Sequence, residues 1–133
     1  MNKKTFIVED DANLLYSLQA KLSLVGVEVE TNSGNTGISE LINDIKKAKP
    51  NFIILDLILP KVDGFEILKT VKKDDDLANL PVFIFSSLSD EDSKSRGLEL
   101  GAKYYFVKND FNVDEFVDKI LKIVNNKSKL EEK

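Results

Sequence analysis

A chain of 133 residues holds one domain with a proper core and not two. Its 42% hydrophobic and 32% charged residues mark it as globular, and no apolar run nears the roughly 18 residues of a membrane span. Cys and His are absent and the net charge is −4, which excludes disulfides, thiolate sites and imidazole chemistry and disfavours nucleic acid as a direct partner.

Behind a lysine-bearing N-terminus with no signal-peptide core, which predicts a cytoplasmic protein, Thr5-Phe6-Ile7-Val8 reads as a buried strand. It runs into three acids, Glu9, Asp10 and Asp11. A helix follows with Leu14, Leu15, Leu18, Leu22 and Val25 on one stripe, stopped near Gly26 and capped by Asp11. Val27 to Glu30 alternates as a half-buried strand. Past the turn at Ser33-Gly34, Asn35 or Thr36 is the predicted N-cap of a second helix carrying Ile38, Leu41, Ile42 and Ile45. Phe52 to Leu55 is too short for a buried helix and reads as a strand covered on both faces, with Asp56 at its end. Pro60 stops strand pairing, and Asp63-Gly64 turns the chain into a third helix marked by Phe65, Leu68 and Val71. Val82 to Phe85 is the fourth strand, ending at Ser86-Ser87. Ser89 and Asp92 resemble a capping box over a helix with Gly97 and few large apolar residues, which should be the least stable of the set. Tyr105 to Val107 is the fifth strand, ending at Lys108. The last helix places Val113, Phe116, Val117, Ile120, Leu121 and Val124 on one face, and residues 127–133 read as a polar, fraying tail.

Five strands alternating with five helices imply an α/β, doubly wound parallel sheet in the flavodoxin-like order 2-1-3-4-5. In that order every strand opens its carboxyl end on one edge, where Glu9, Asp10, Asp56, Ser86 and Lys108 collect. Each has an ordinary reading alone: cap, strand terminator, turn serine or solvated lysine. Their joint placement does not. Close carboxylates repel one another, and a hard divalent cation such as Mg²⁺ relieves that repulsion. A cation held by carboxylates beside a lysine and a hydroxyl suits a phosphoryl group.

The runs Ile7-Val8-Glu9-Asp10-Asp11, Leu55 to Gly64, Phe85-Ser86-Ser87 and Gly101 to Lys108 resemble the receiver domain of two-component response regulators. The likeness covers about residues 4 to 126, which leaves no room for an output domain in this chain; residues 1–126 are taken as the receiver and 127–133 as its tail. The resemblance implies that Asp56 is phosphorylated from a histidine kinase or phosphotransfer protein, and that the domain signals rather than turning over a substrate. It implies that Asp10 and Asp56 bind Mg²⁺ directly, with the backbone carbonyl of Ile58 as a further ligand and Glu9 acting through water. Lys108 and Ser86 would contact the phosphoryl oxygens. Ser86 and Tyr105 would form a switch that repacks the face of the fourth helix, fifth strand and fifth helix against a downstream protein. The apolar residues two beyond Asp56 and two beyond Ser86, Ile58 and Leu88, imply a long-lived phosphoryl group.

The chain departs from the family at Lys108-Asn109-Asp110-Phe111, where Lys-Pro with a cis bond is usual. A cis bond before Asn would cost about 2.5–4 kcal/mol, so a trans bond and a reshaped loop are expected. Two other readings compete. A receiver-like module that is never phosphorylated has no physical need of clustered acids. A Mg²⁺-dependent phosphohydrolase on a similar fold commonly needs a second carboxylate two residues past the nucleophile, where this chain has Ile58.

Overall fold

The computed structural model describes residues 3–126. Within them the chain alternates β1 (Lys3–Val8), α1 (Ala12–Leu24), β2 (Val27–Asn32), α2 (Ile38–Ala48), β3 (Phe52–Leu55), α3 (Gly64–Lys73), β4 (Val82–Ser86), α4 (Glu91–Glu99), β5 (Tyr104–Val107) and α5 (Val113–Asn125). A short 3₁₀ turn, Lys108–Asp110, joins β5 to α5. The strands form one parallel sheet in the order β2-β1-β3-β4-β5, as the spacing predicts. The polar tail expected at 127–133 lies outside the described residues.

Side chains alternate across each strand, so the sheet separates two cores. Phe6, Val8, Ile53, Leu55 and Ile84 join Leu41, Ile45 and Leu68 on the side of α2 and α3. On the other face Ile7, Ile54, Phe83 and Phe85 join Leu18 and Leu22 of α1 and Phe116 and Ile120 of α5. Phe85 and Phe116 stack with ring centroids 3.9 Å apart, which ties β4 to α5. Full burial of each large apolar side chain is worth about 1.5–3 kcal/mol, so these rows hold the sheet while its carboxyl edge carries polar groups.

The helix ends differ from expectation in detail. Val25 is 54% exposed rather than part of the buried stripe, because α1 stops at Leu24 and Val25 is already its C-cap. Neither Asn35 nor Thr36 caps α2. Asn32 donates its side-chain amide to Thr36 Oγ1 (3.3 Å), and Gly37 takes the cap position without a side-chain bond. The fourth helix is capped one residue later than Ser89, by Asp90, whose carboxylate accepts from Ser93 N at 3.1 Å. That register leaves Glu91 and Asp92 in the first turn, where the helix dipole favours them. A capping box of Asn112 and Glu115, absent from the sequence reading, starts α5. No peptide bond among the described residues is cis, so Lys108-Asn109 is trans as expected.

Candidate functional site

Parallel pairing brings the ends of β1 and β3 side by side: Val8 lies opposite Leu55, and Asp56 N donates to Val8 O at 3.0 Å. The next residues, Glu9 and Asp56, therefore stand together at the sheet edge, 2% and 4% exposed. Asp10 projects into solvent beside them. Carboxylate oxygens of Glu9, Asp10 and Asp56 all lie within 4.8 Å of one another. From β5's end, Lys108 Nζ reaches both buried acids, 3.0 Å from Glu9 Oε1 and 3.0 Å from Asp56 Oδ2. Asp56 Oδ1 accepts from Ile58 N at 3.3 Å, so each oxygen has a donor and the carboxylate is held in one orientation.

The electrostatics are unbalanced. Burial, and then the charge of Asp56, push the Glu9 carboxyl above its ordinary range, with the Asp11 N–H and Lys108 pulling it back. Burial alone would lower Lys108, but its hydrogen bonds and ion pairs with Asp56 and Glu9 outweigh that and raise it. One ammonium thus faces a cluster of three carboxylates. The donors are all oxygens, and the excess negative charge is what a hard divalent cation neutralises, so these residues fit Mg²⁺.

The loop behind Asp56 is built to approach closely. Ile58 bridges to Asp63, and Gly64 N donates to Leu57 O at 3.1 Å. A Cβ on Gly64 would stand 2.4 Å from Leu57 Cα, a collision with backbone, so only glycine fits there. Asp63 caps α3 through Phe65 N (2.9 Å), while Asp11 caps α1 through Asn13 N and Leu14 N and takes no part in the acid cluster.

Ser86, fully buried at the end of β4, accepts from Leu88 N at 3.3 Å. Tyr105, on β5, donates its hydroxyl to Leu88 O at 2.8 Å. The two predicted switch residues therefore meet directly, Ser86 within side-chain hydrogen-bonding reach of the Tyr105 hydroxyl, and again through the backbone of Leu88, a link that sequence could not offer because backbone atoms carry no residue-type signal. Ile58 keeps its side chain half exposed at the mouth of the site.

A model of the response regulator receiver domain matches residues 5–121. The chain belongs to that family. A probable transcriptional regulator, ycf27, of Guillardia theta is 35% identical over 106 residues, covering 80% of this chain and 39% of that protein. The chain spans about two fifths of the length of the curated relatives it matches first. Among solved structures, the phosphorylated cyanobacterial phytochrome response regulator RcpA superposes with a TM-score of 0.83 at 28% identity, over 96% of each chain. The Mn²⁺-bound form of response regulator Rcp1 gives 0.74 at 26% identity, over 91% of each. As a receiver domain this chain is a module of two-component signalling, with the flavodoxin-like order seen in its sheet. Among the described residues, no helix of the receiver is long and apolar enough to cross a membrane.

Proposed function

We propose that this receiver accepts a phosphoryl group on Asp56 from a phosphohistidine of a kinase or phosphotransfer protein and converts that event into altered protein binding. The observation that carries the reading is Lys108 bridging Glu9 and Asp56 at 3.0 Å, with Asp10 beside them. In the transfer the phosphorus–nitrogen bond on the partner breaks and a phosphorus–oxygen bond to Asp56 forms, the electron pair returning to the imidazole. Such a step needs positioning and charge neutralisation more than acid–base groups, so a site without His is adequate.

Asp56 is pre-positioned by its two donors. Asp10 and Asp56, with the Ile58 carbonyl and Glu9 through water, would hold Mg²⁺; a similar receiver of known structure is the Mn²⁺-bound Rcp1. When bound, the cation supplies positive charge opposite the phosphoryl oxygens. Lys108 turns from the carboxylates to one of those oxygens. Ser86, whose Oγ is an acceptor toward Leu88 N, keeps its O–H proton to donate to another. That donation pulls Ser86 inward, loosens Leu88, and so reaches Tyr105 and the surface formed by α4, β5 and α5, where the downstream protein docks. The cytoplasm, where phosphohistidine donors act, is the compartment this reading requires.

The test is incubation of the purified 133-residue chain with Mg²⁺ and acetyl phosphate, read by intact-protein mass and peptide mapping. One phosphoryl group on Asp56, lost in Asp56→Asn, is the expected result. Failure of the wild type to gain mass, or equal labelling of the variant, overturns the assignment. Ser86→Ala should still be labelled, since Lys108 and the acids remain, but should lose the response at Tyr105 that NMR detects in the wild type.

A further inference from the structure

The fourth helix rests on the sheet in an unusual way. Along Glu91–Glu99 the one buried residue is Gly97. Glycine in a helix interior is costly relative to alanine, because it surrenders more backbone freedom and adds no side-chain contact. A helix with so little apolar burial therefore gives up stability at its point of contact.

What lies beneath Gly97 accounts for the glycine. Ile84 and Tyr105 are register partners on β4 and β5, so their side chains stand next to each other on the face that α4 covers. A Cβ on Gly97 would lie 2.7 Å from Ile84 Cδ1, 3.0 Å from Tyr105 Cδ2 and 3.3 Å from Tyr105 Cε2. Ile84 is fully enclosed in the core. The Tyr105 ring is not: it borders a groove of about 730 Å³ that Leu98, Tyr104, Phe106 and Ile123 also line. Of the two neighbours, the ring has somewhere to go. Its present seat under the helix is also what brings its hydroxyl within 2.8 Å of Leu88 O.

We propose that Gly97 is the positioning residue of the Tyr105 switch: the missing side chain opens the seat in which the ring lies and from which its hydroxyl reaches Leu88. This rests on the reading of Ser86 and Tyr105 as the switch. It adds that the equilibrium between a seated and a groove-facing ring is set from α4 as well as from the phosphoryl site. A methyl group at position 97 shifts that equilibrium toward the groove, while Glu9, Asp10, Asp56 and Lys108 are untouched. A ligand with no differential contact to two states shifts nothing; a methyl that collides with one of them does.

The experiment uses the full chain and two variants, Gly97→Ala and Gly97→Ala/Ile84→Val. The second removes the Cδ1 atom that the methyl would strike first and leaves the ring collision. In the unmodified proteins, NMR should show contacts between the Tyr105 ring and position 84 in the wild type and their loss in both variants, with the rest of the spectrum retained. A seated ring in Gly97→Ala, or its return in the double variant, overturns the proposal, since Gly97 would then serve only packing on β4. With Mg²⁺ and beryllium fluoride, the amides around Asp56 and Lys108 should respond in every protein, while the Tyr105 response falls by more than half in both variants. No response at Asp56 in the wild type would instead count against phosphoryl acceptance, and the ring positions without beryllium fluoride would still decide the role of Gly97. If Gly97→Ala does not fold alone, thermal unfolding in the Ile84→Val background decides. There Gly97→Ala should lower Tm with the Tyr105 ring present and raise it once Tyr105→Ala has removed the ring. The same sign in both backgrounds overturns the proposal.

Discussion

Ile58 and Leu88, two residues past Asp56 and two past Ser86, have no polar atom on either side chain. The Ile58 N–H holds Asp56 Oδ1 and the Leu88 N–H is held by Ser86, so both backbones are tied to residues of the site, while the Ile58 side chain is exposed and that of Leu88 packs against the core on the α2 and α3 side. Hydrolysis of a phosphoaspartate needs a water in line with the bond that breaks. An apolar side chain bordering the phosphoryl group excludes that water and cannot orient it. Ile58→Asn with Leu88→Glu should therefore shorten the life of the phosphoryl group by at least about tenfold, on the scale of a positioned polar group acting on water. Decay of the phosphorylated protein in Mg²⁺ after removal of the donor measures this, and equal decay in wild type and variant would show that the apolar pair shields nothing. Glu9, Asp56 and Lys108 were legible in sequence because each follows directly on a run of buried strand residues, which places it at the sheet edge, and Asp10 because it comes next after Glu9. That Lys108 would touch two acids 52 and 99 positions away was not, because it depends on how β5 settles against β4 and on the turn after it.

At the scale of elements, the helices are held unequally. α2 buries Leu41, Ile42, Ile45 and Ala48, and α5 buries Phe116, Val117, Ile120 and Val124, whereas α4 buries only Gly97. With each large apolar side chain worth about 1.5–3 kcal/mol, local opening of α4 costs several kcal/mol less than opening of α2 or α5. Native-state hydrogen exchange should give amide protection in α4 at least about 100-fold below that in α2 and α5. Comparable protection would mean that contacts outside the buried set hold the helix. The scarcity of apolar residues in α4 was already visible in its composition, and so were the strands, since strands covered on both faces read as unbroken apolar runs. The caps were not. Ser89 and Asp90 are neighbouring acceptors of similar quality, and Asp90 is the one that accepts from Ser93 N; at α2 the Thr36 hydroxyl is engaged by Asn32 and the cap falls to Gly37. Val25 continues the apolar stripe by spacing, but α1 ends at Leu24 and leaves it exposed.

The molecule as a whole is a sheet sealed by apolar packing on both faces and left electrostatically unfinished at one edge. Nothing in the two cores depends on Asp10, which is exposed and contributes only its charge to the cluster with Glu9 and Asp56. In the metal-free domain that charge is repulsive, so Asp10→Asn should unfold at a temperature no lower than wild type when Mg²⁺ is chelated. Adding Mg²⁺ reverses the order. A ligand that binds only the folded state stabilises it by about 2.7 kcal/mol at 100 times its dissociation constant, a rise of several degrees for a domain of this size. Wild type should gain that rise, and Asp10→Asn should gain less than half of it at the same Mg²⁺ concentration, because a ligand oxygen has lost its charge. Thermal unfolding in chelator and across a Mg²⁺ titration measures both quantities on the same samples. Equal Mg²⁺-dependent shifts in the two proteins would remove Asp10 from the metal site, and a variant less stable than wild type in chelator would mean that Asp10 supports the fold through contacts other than charge.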